Sequence, residues 1–455
     1  MATQHSFTLG GTLINYTATA GHLNAVNLGN QQPEASFFYV AYTKDGAAAP
    51  QRPVTFFYNG GPGSSTIWLH LGSFGPRRLV SGDPSAAPAV PFPMVDNADS
   101  LLDLSDLVFV DAIGTGYSEA IAPNTNQGFW GVDADAAAFR DFVMRYSAAN
   151  QRTASPKFLF GESYGTTRSA ALANVLETAG VDIHGVVLQS SILDYNSNCA
   201  VFDVNQVNCA GYMPSYAMVG DYYQLDQSNP TDLPAYAQQM RDYAGNTYAP
   251  AVNAWIQSQT PLPSNVVTQL VGYTGAAASL WQAHPDMDPG TIETQLVSGD
   301  LLGGYDARVH VASNSSIAQQ GDPSSVVITA PFTNALNDYL PQFLHYFSTS
   351  GYIVGSNDAI NDWNFSHDGK SLPDVIPDLA AALQQNPNLS ILSVNGYHDL
   401  VTPFYQTQLD LTRLGTQPRL HFGFYAGGHM TYLDDTSRPQ EKADLASFYA
   451  AALSQ

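Results

Sequence analysis

The segment Lys157–Gly165, KFLFGESYG, constrains this chain more than any other. Its apolar start reads as a buried strand, and the residues that follow, TTRSAALANVLETAG, read as a helix. Between the two stands G-x-S-x-G, Gly161 to Gly165. A serine in that context sits on a sharp strand-to-helix turn that lifts its hydroxyl into a cleft. Glycine on both sides permits the tight backbone and lets strand and helix pass closely. If Ser163 is to react, the rest of the chain must supply a base, an acid to orient the base, and donors for an oxyanion.

Strand-like apolar runs recur at Val54–Tyr58, Leu107–Asp111 and Gly185–Ser190, and again at Leu389–Gly396 and Arg419–Tyr425. Helical spacing appears at Val132–Ala149, at Asp374–Leu383 and in the alanine-rich Glu441–Leu453. Continuous apolar strands separated by helices predict a parallel sheet covered on both faces. The expected fold class is therefore α/β, a doubly wound and mostly parallel sheet. The stretch from Asn196 to Ser325 differs: it has no lysine, and Arg241 and Arg308 are its basic residues. Its Asn, Gln, Tyr, Pro and Gly content predicts a mostly helical insertion forming a lid or one wall of a cleft. The division expected is a first core part at 1–195, the insertion at 196–325 and a second core part at 326–455. A chain of 455 residues exceeds what one simple core holds, which agrees with an elaborated fold.

Charge narrows the partners. Acidic residues number 39 against 16 basic, four of them lysine, for a formal charge of −23. That balance argues against a nucleic-acid or anionic-membrane surface. No run reaches the ~20 apolar residues of a membrane helix. Sparse charge and an acidic balance suit life in acid, with ordinary acidic solubility at neutral pH as the competing explanation. The first residues, MATQHSFTLGG, lack the basic start and apolar stretch of a secretory leader. Two placements follow: secreted or periplasmic with a leader removed, or cytoplasmic. Cys199 and Cys209 are close enough for a small bridged loop, or form a free thiol pair; neither has histidines at a zinc spacing.

The partners that Ser163 needs come in the order serine, acid, histidine. Asp399 follows the strand-like LSILSVNG, and His429 follows RLHFGFY inside Gly427-Gly428-His429-Met430. Both positions lie beyond the carboxyl ends of strands, where a doubly wound sheet places functional groups. His398 competes with His429 for the base, but a place beside the acid suits it less. Val54–Tyr58 runs into Asn59-Gly60-Gly61-Pro62-Gly63. Consecutive glycines after a strand leave N–H groups uncovered, so Gly61 pairs with Tyr164, the residue after the serine, as the expected oxyanion hole.

These motifs resemble the serine carboxypeptidases, a family of the α/β-hydrolase fold. The residues that carry the resemblance are NGGPGSS (Asn59–Ser65), Gly75-Pro76, FVDAIGTGYS (Phe109–Ser118), GESYG (Gly161–Gly165), NGYHD (Asn395–Asp399) and GGHM (Gly427–Met430). The resemblance implies Ser163, Asp399 and His429 as a catalytic triad, and peptides with a free C-terminus as substrates. It further implies that Asn59, Gly60 and Glu162 hold the substrate's terminal carboxylate. No metal or organic cofactor is implied. A glutamate can hydrogen-bond a carboxylate only while one of the two keeps a proton, so such a site favours acid.

The chain departs from the family pattern in places, and the first departure bears on specificity. The family's second glutamate before the Gly-Pro pair is Ser73 here, so a shared-proton carboxyl pair is lost, although a serine can still donate a hydrogen bond. The cysteine common in the glycine motif is Ser64. The activity expected is release of C-terminal amino acids through an acyl-enzyme, with an esterase or acyltransferase on the same residues as the alternative. A non-enzymatic peptide-binding protein is the reading from a different class. Tyr212, Tyr216, Tyr222 and Tyr223 are expected to pack the insertion, and Arg77 and Arg78 to form a surface pair.

Overall fold

A computed structural model describes residues 1–47, 49–82, 90–201 and 207–454. Three long strands open the chain: β1 (Ala2–Leu9), β2 (Thr12–Val26) and β3 (Pro33–Lys44). After them come β4 (Val54–Tyr58), α1 (Ile67–Gly72), and a small hairpin of β5 (Arg77–Leu79) and β6 (Met94–Asp96). Next are β7 (Asp106–Val110), the two-residue β8 (Glu119–Ala120), α2 (Val132–Ala149), β9 (Lys157–Glu162), α3 (Tyr164–Thr178) and β10 (Gly185–Gln189). Six helices then follow without a strand of the main sheet: α4 (Met213–Tyr222), α5 (Leu233–Tyr243), α6 (Ala249–Ser258), α7 (Ser264–Thr274), α8 (Ala278–Ala283) and α9 (Pro289–Gln295). A second hairpin, β11 (Asp300–Leu302) with β12 (His310–Ala312), leads to α10 (Pro323–Gln342) and α11 (Asn357–Asp362). The chain closes with α12 (Ile376–Gln385), β13 (Ser390–Gly396), α13 (Phe404–Thr412), β14 (Leu420–Tyr425) and α14 (Ser437–Leu453).

The main sheet runs in the order β1-β2-β3-β7-β4-β9-β10-β13-β14, with β8 paired to β3. From β7 to β14 every neighbour is parallel, whereas β1, β2, β3 and β7 pair antiparallel. This is the α/β-hydrolase architecture expected from the sequence. β1 and β2 went unread because they alternate exposed and buried residues and are rich in polar side chains, unlike the continuous apolar runs of the parallel strands; β3, buried along most of its length, has such a run and was simply not singled out.

Two apolar layers enclose the sheet. Phe57, Phe109, Phe160 and Val394 face α1, α10 and α14 through Leu69, Phe332 and Phe448. The alternate residues Phe56, Val108, Leu159 and Ile391 face α2, α3 and α12 through Phe142, Leu172 and Leu379. This alternation is the two-residue period of a strand buried on both faces. A third core, built from α4–α9, continues into Tyr397, Leu400 and Phe404. Tyr212 and Tyr216 are fully buried within it, so they pack the insertion as expected. Cys199 and Cys209 are disulfide-bonded, which settles the choice left open by the sequence. Among the described residues, no helix is long and apolar enough to cross a membrane.

One ion cluster ties loop to helices. His367 hydrogen-bonds Asp133 of α2 through Nδ1 at 2.6 Å and Asp378 of α12 through Nε2 at 2.8 Å. Those hydrogen bonds outweigh burial and raise the imidazole to about 9. Burial also pushes Asp111 and Asp410 up to about 7, and Glu441 to about 8. All four groups hold a proton in the folded state at a pH where the unfolded chain has released it. Each therefore stabilises the fold below its unfolded pKa and loses that contribution as pH rises through its folded value. Thermal unfolding should accordingly show stability falling from pH 6 to pH 9. His367→Gln should cost roughly 1–3 kcal/mol at pH 6 and little at pH 10. A flat profile, or an equal loss at both pH values, would contradict the assignment.

Candidate active site

Ser163 stands at the junction of β9 and α3 with φ 58° and ψ −128°, a conformation that costs a non-glycine residue on the order of 1–3 kcal/mol. Its neighbours leave no alternative. A Cβ at Gly161 would lie 2.1 Å from the Gly165 carbonyl, and one at Gly165 would lie 2.8 Å from the Tyr58 carbonyl. The Ser163 N–H donates to the Gln189 carbonyl of β10 at 3.0 Å, which fixes the turn against the sheet.

The glycine loop lies directly on this turn. β4 and β9 are parallel neighbours with Tyr58 opposite Gly161, so Asn59 and Glu162 leave the sheet side by side. A Cβ at Gly60 would come within 2.4 Å of the Tyr164 nitrogen. Gly61 has φ 106°, open to glycine and strained for other residues. Tyr164 is the first residue of α3, where N–H groups lack intrahelical acceptors and the helix dipole favours negative charge. Gly60, the residue before the expected oxyanion donor Gly61, is thus packed against the nitrogen of the other expected donor, Tyr164.

Asp399 and His429 meet across the ends of β13 and β14. His429 Nδ1 lies 2.8 Å from Asp399 Oδ2. Asp399 is completely buried and also accepts the N–H groups of Val401 and Thr402 and the Thr402 hydroxyl. Its loop reaches the histidine loop because Gly396 has no side chain: a Cβ there would lie 2.0 Å from the Gly428 carbonyl. The His429 carbonyl accepts from Gln189 Nε2 at 2.9 Å and from the Ser190 hydroxyl at 2.6 Å. Gln189 therefore holds both the Ser163 turn and the histidine loop. With Nδ1 donating to Asp399, Nε2 is the basic atom of the neutral ring, and among the described residues it has no hydrogen-bond partner, Ser163 included. Burial pulls the His429 pKa down, but the Asp399 and Glu162 carboxylates outweigh it and hold the imidazole above its ordinary value. His398 turns away to the Ala426 carbonyl, and burial lowers it to about 4.

The sequence did not reveal what holds these loops from above. Gly304, Tyr305 and Ala307, after β11, hydrogen-bond Leu400, His429 and His398 through backbone groups. The Tyr305 ring also stands edge-on to His429, 5.0 Å between centroids. Nothing in the local sequence announces these contacts, because they join segments a hundred residues apart. Thr402 was more legible, since a hydroxyl three residues beyond an aspartate is well placed to satisfy it.

Asn59 and Glu162 form a direct pair, Asn59 Nδ2 donating to Glu162 Oε1 at 2.7 Å. The other oxygen, Oε2, accepts the Tyr432 hydroxyl at 2.5 Å. Burial pushes Glu162 up to about 7, opposed by the His429 charge and by the hydrogen bonds from Tyr432 and Asn59. Ser73 does not take part: its hydroxyl, buried, donates to the Leu69 carbonyl one helical turn back. The hydrogen bond expected of a serine at that position is therefore made inside α1 and is unavailable to a substrate. Arg77 lies 3.5 Å from Asp96 and over the Phe343 ring, and Arg78 pairs with Asp435, so each half-buried arginine, expected at the surface, reaches an exposed aspartate there.

The sheet order and the residues gathered at its carboxyl edge define an α/β-hydrolase, and the protein is a hydrolase by class. More particularly, residues 10–224 match the serine carboxypeptidase family model, so the family resemblance seen in the motifs holds over the stretch that carries the glycine loop and Ser163. Asp399 and His429 lie beyond the matched residues. No curated protein sequence matches the chain. Solved structures that it resembles include a proline iminopeptidase from Mycobacterium smegmatis, at 14% identity over 96% of this chain and 99% of that one, TM-score 0.39. A carboxyl esterase from Bacillus coagulans matches at 13% identity over 96% and 99%, TM-score 0.38. A peroxisomal α/β-hydrolase from Saccharomyces cerevisiae matches at 12% over 97% and 90%, TM-score 0.42. Similarity this distant says nothing about substrate.

Because the Tyr432 hydroxyl stabilises the charged form of Glu162, Tyr432→Phe should raise the Glu162 pKa further above about 7. Carbon-13 titration of the glutamate carboxyls reads this directly. An unchanged or lowered Glu162 midpoint would mean that the hydroxyl does not hold this carboxylate.

Proposed function

We propose that the protein is a serine carboxypeptidase-like hydrolase that releases C-terminal amino acids from peptides. In this reading Ser163 attacks the last peptide carbonyl while His429 Nε2 takes the hydroxyl proton, and Asp399 keeps the ring in the tautomer that leaves Nε2 basic. The N–H groups of Gly61 and Tyr164 receive the developing oxyanion. His429 then returns the proton to the leaving amino group, and water repeats the sequence on the acyl-enzyme. The observation that carries the reading is the buried Asp399–His429 hydrogen bond, with Nε2 unpartnered and the histidine loop tied through Gln189 to the Ser163 turn.

The terminal carboxylate would be received by Asn59, the Gly60 backbone and Glu162. A protonated Glu162 can donate to it; an ionised one repels it. With Glu162 near 7, binding of a free C-terminus is supported below that pH and lost as pH rises through it. His429 acts in the other direction: its raised pKa removes the neutral base as pH falls. Protonation of Glu162 eases that loss, because the negative charge that helps hold the proton on His429 disappears. The profile expected for peptides is therefore a bell on the acid side of neutrality.

A second reading has its own support. Both Glu162 oxygens are engaged by Asn59 and Tyr432, and the Ser73 hydroxyl points into α1, which favours an esterase or acyltransferase with no need for a free carboxylate. One experiment separates the two. Release of the C-terminal residue from an N-blocked dipeptide is followed from pH 3 to 8, beside the amidated dipeptide, an N-blocked ester and Ser163→Ala. Bell-shaped release that amidation weakens at least tenfold and the variant abolishes supports the carboxypeptidase. Ester cleavage with no preference for a free carboxylate supports the second reading, and failure of a phosphonate to label Ser163 would defeat both.

A further inference from the structure

Arg168 is a fully buried cation one turn into α3, and its hydrogen bonds go to Asp135 and Asn59 and not to Ser163 or His429. Its Nε donates to Asp135 Oδ2 of α2 at 2.7 Å, and its Nη1 donates to the Asn59 carbonyl at 2.8 Å. The guanidinium is enclosed by the rings of Phe139, Tyr58 and Tyr164, at 4.4, 5.3 and 5.3 Å from their centroids. Asp135, buried as well, also accepts the Tyr164 hydroxyl at 3.3 Å. A buried ion pair is expensive, and an apolar residue of similar volume often serves stability as well or better. What distinguishes this pair is where its hydrogen bonds lead. One goes to the peptide that joins Asn59 to Gly60; the other, through Asp135, goes to the side chain of Tyr164. These are the two flanks of the oxyanion hole, and they approach so closely that a single Cβ at Gly60 would collide with the Tyr164 nitrogen.

We propose that Arg168, held by Asp135, is the positioning residue of the oxyanion hole. From behind the site it fixes the plane of the Asn59–Gly60 peptide and the seat of Tyr164, so that the N–H groups of Gly61 and Tyr164 aim at one point. A hydrogen bond from a guanidinium is charge-assisted and directional, and a lysine cannot reproduce its planar fork. The proposal rests on Ser163 being the nucleophile and is indifferent to whether the substrate is a peptide or an ester.

The test uses the full chain with Arg168→Lys and Asp135→Asn, an N-blocked ester as substrate, and a peptide aldehyde that forms a tetrahedral adduct with Ser163. Misaimed donors weaken the transition state and not the ground state. In either folded variant kcat should fall roughly ten- to a hundredfold, less than or comparable to loss of a direct oxyanion donor, with KM within about threefold. Aldehyde affinity should weaken by the same factor. A variant that folds, by near-ultraviolet circular dichroism, yet keeps wild-type kcat and aldehyde affinity overturns the proposal while leaving Ser163 its role. Asp135→Asn, nearly isosteric, decides the matter if Arg168→Lys does not fold. If wild-type Ser163 is not labelled by a phosphonate, the nucleophile reading fails, and the proposal with it.

Discussion

The parallel pairing of β4 with β9 is the constraint on which the site depends. With Tyr58 opposite Gly161, the chain leaves the sheet at Asn59 on one strand and at Glu162 on the next, two adjacent exits at one edge. The glycine loop and the strained turn at Ser163 then have to share a space that admits no Cβ at Gly60, Gly161 or Gly165. A register slip of one residue would reverse every side chain on these strands and drive Phe57 and Phe160 into the layer that packs Phe56 and Leu159, so the two apolar layers hold this geometry in place. Strain of a few kcal/mol at Ser163 persists because the surrounding packing over-determines it.

Around that junction the protein buries titratable groups in number. Glu162, Asp111 and Glu441 are all sealed within the fold, each touching hydroxyl or amide groups and none, among the described residues, forming an ion pair with an arginine or lysine. The chain has only 16 basic residues to distribute, and several of them pair at the surface or across loops. Buried acids without cations keep their protons, so the acidic composition and the interior chemistry have one consequence: the folded state is better suited to acid than to alkali. The same physics governs Glu162, which burial raises and whose charge helps hold the proton on His429.

Much of this was legible in the residues. β4 and α2 have the bounds expected from apolar patterning, and β9, β10, β13 and β14 differ by one or two residues; β4, β9, β10 and β13 are buried on both faces and so give continuous apolar runs. That Ser163, Asp399 and His429 stand just beyond strand ends was readable from the apolar runs before them. The antiparallel edge was not, nor were the contacts of Tyr305, Tyr432 and Gln189. Tyr432 illustrates why: its ring is core-like, and only the fold brings its hydroxyl to an acid 270 positions away.

By itself the sequence determined the α/β architecture and which residues stand at strand ends, since burial periodicity and the conformational freedom of glycine are local properties that the residue order records. Whether Cys199 and Cys209 pair, which way the Ser73 hydroxyl points, what occupies both oxygens of Glu162 and what stands behind Asn59 were decided only by tertiary structure. Those outcomes depend on distances between segments far apart in the chain, and hydrogen-bonding groups go to whichever partner packing brings within about 3 Å.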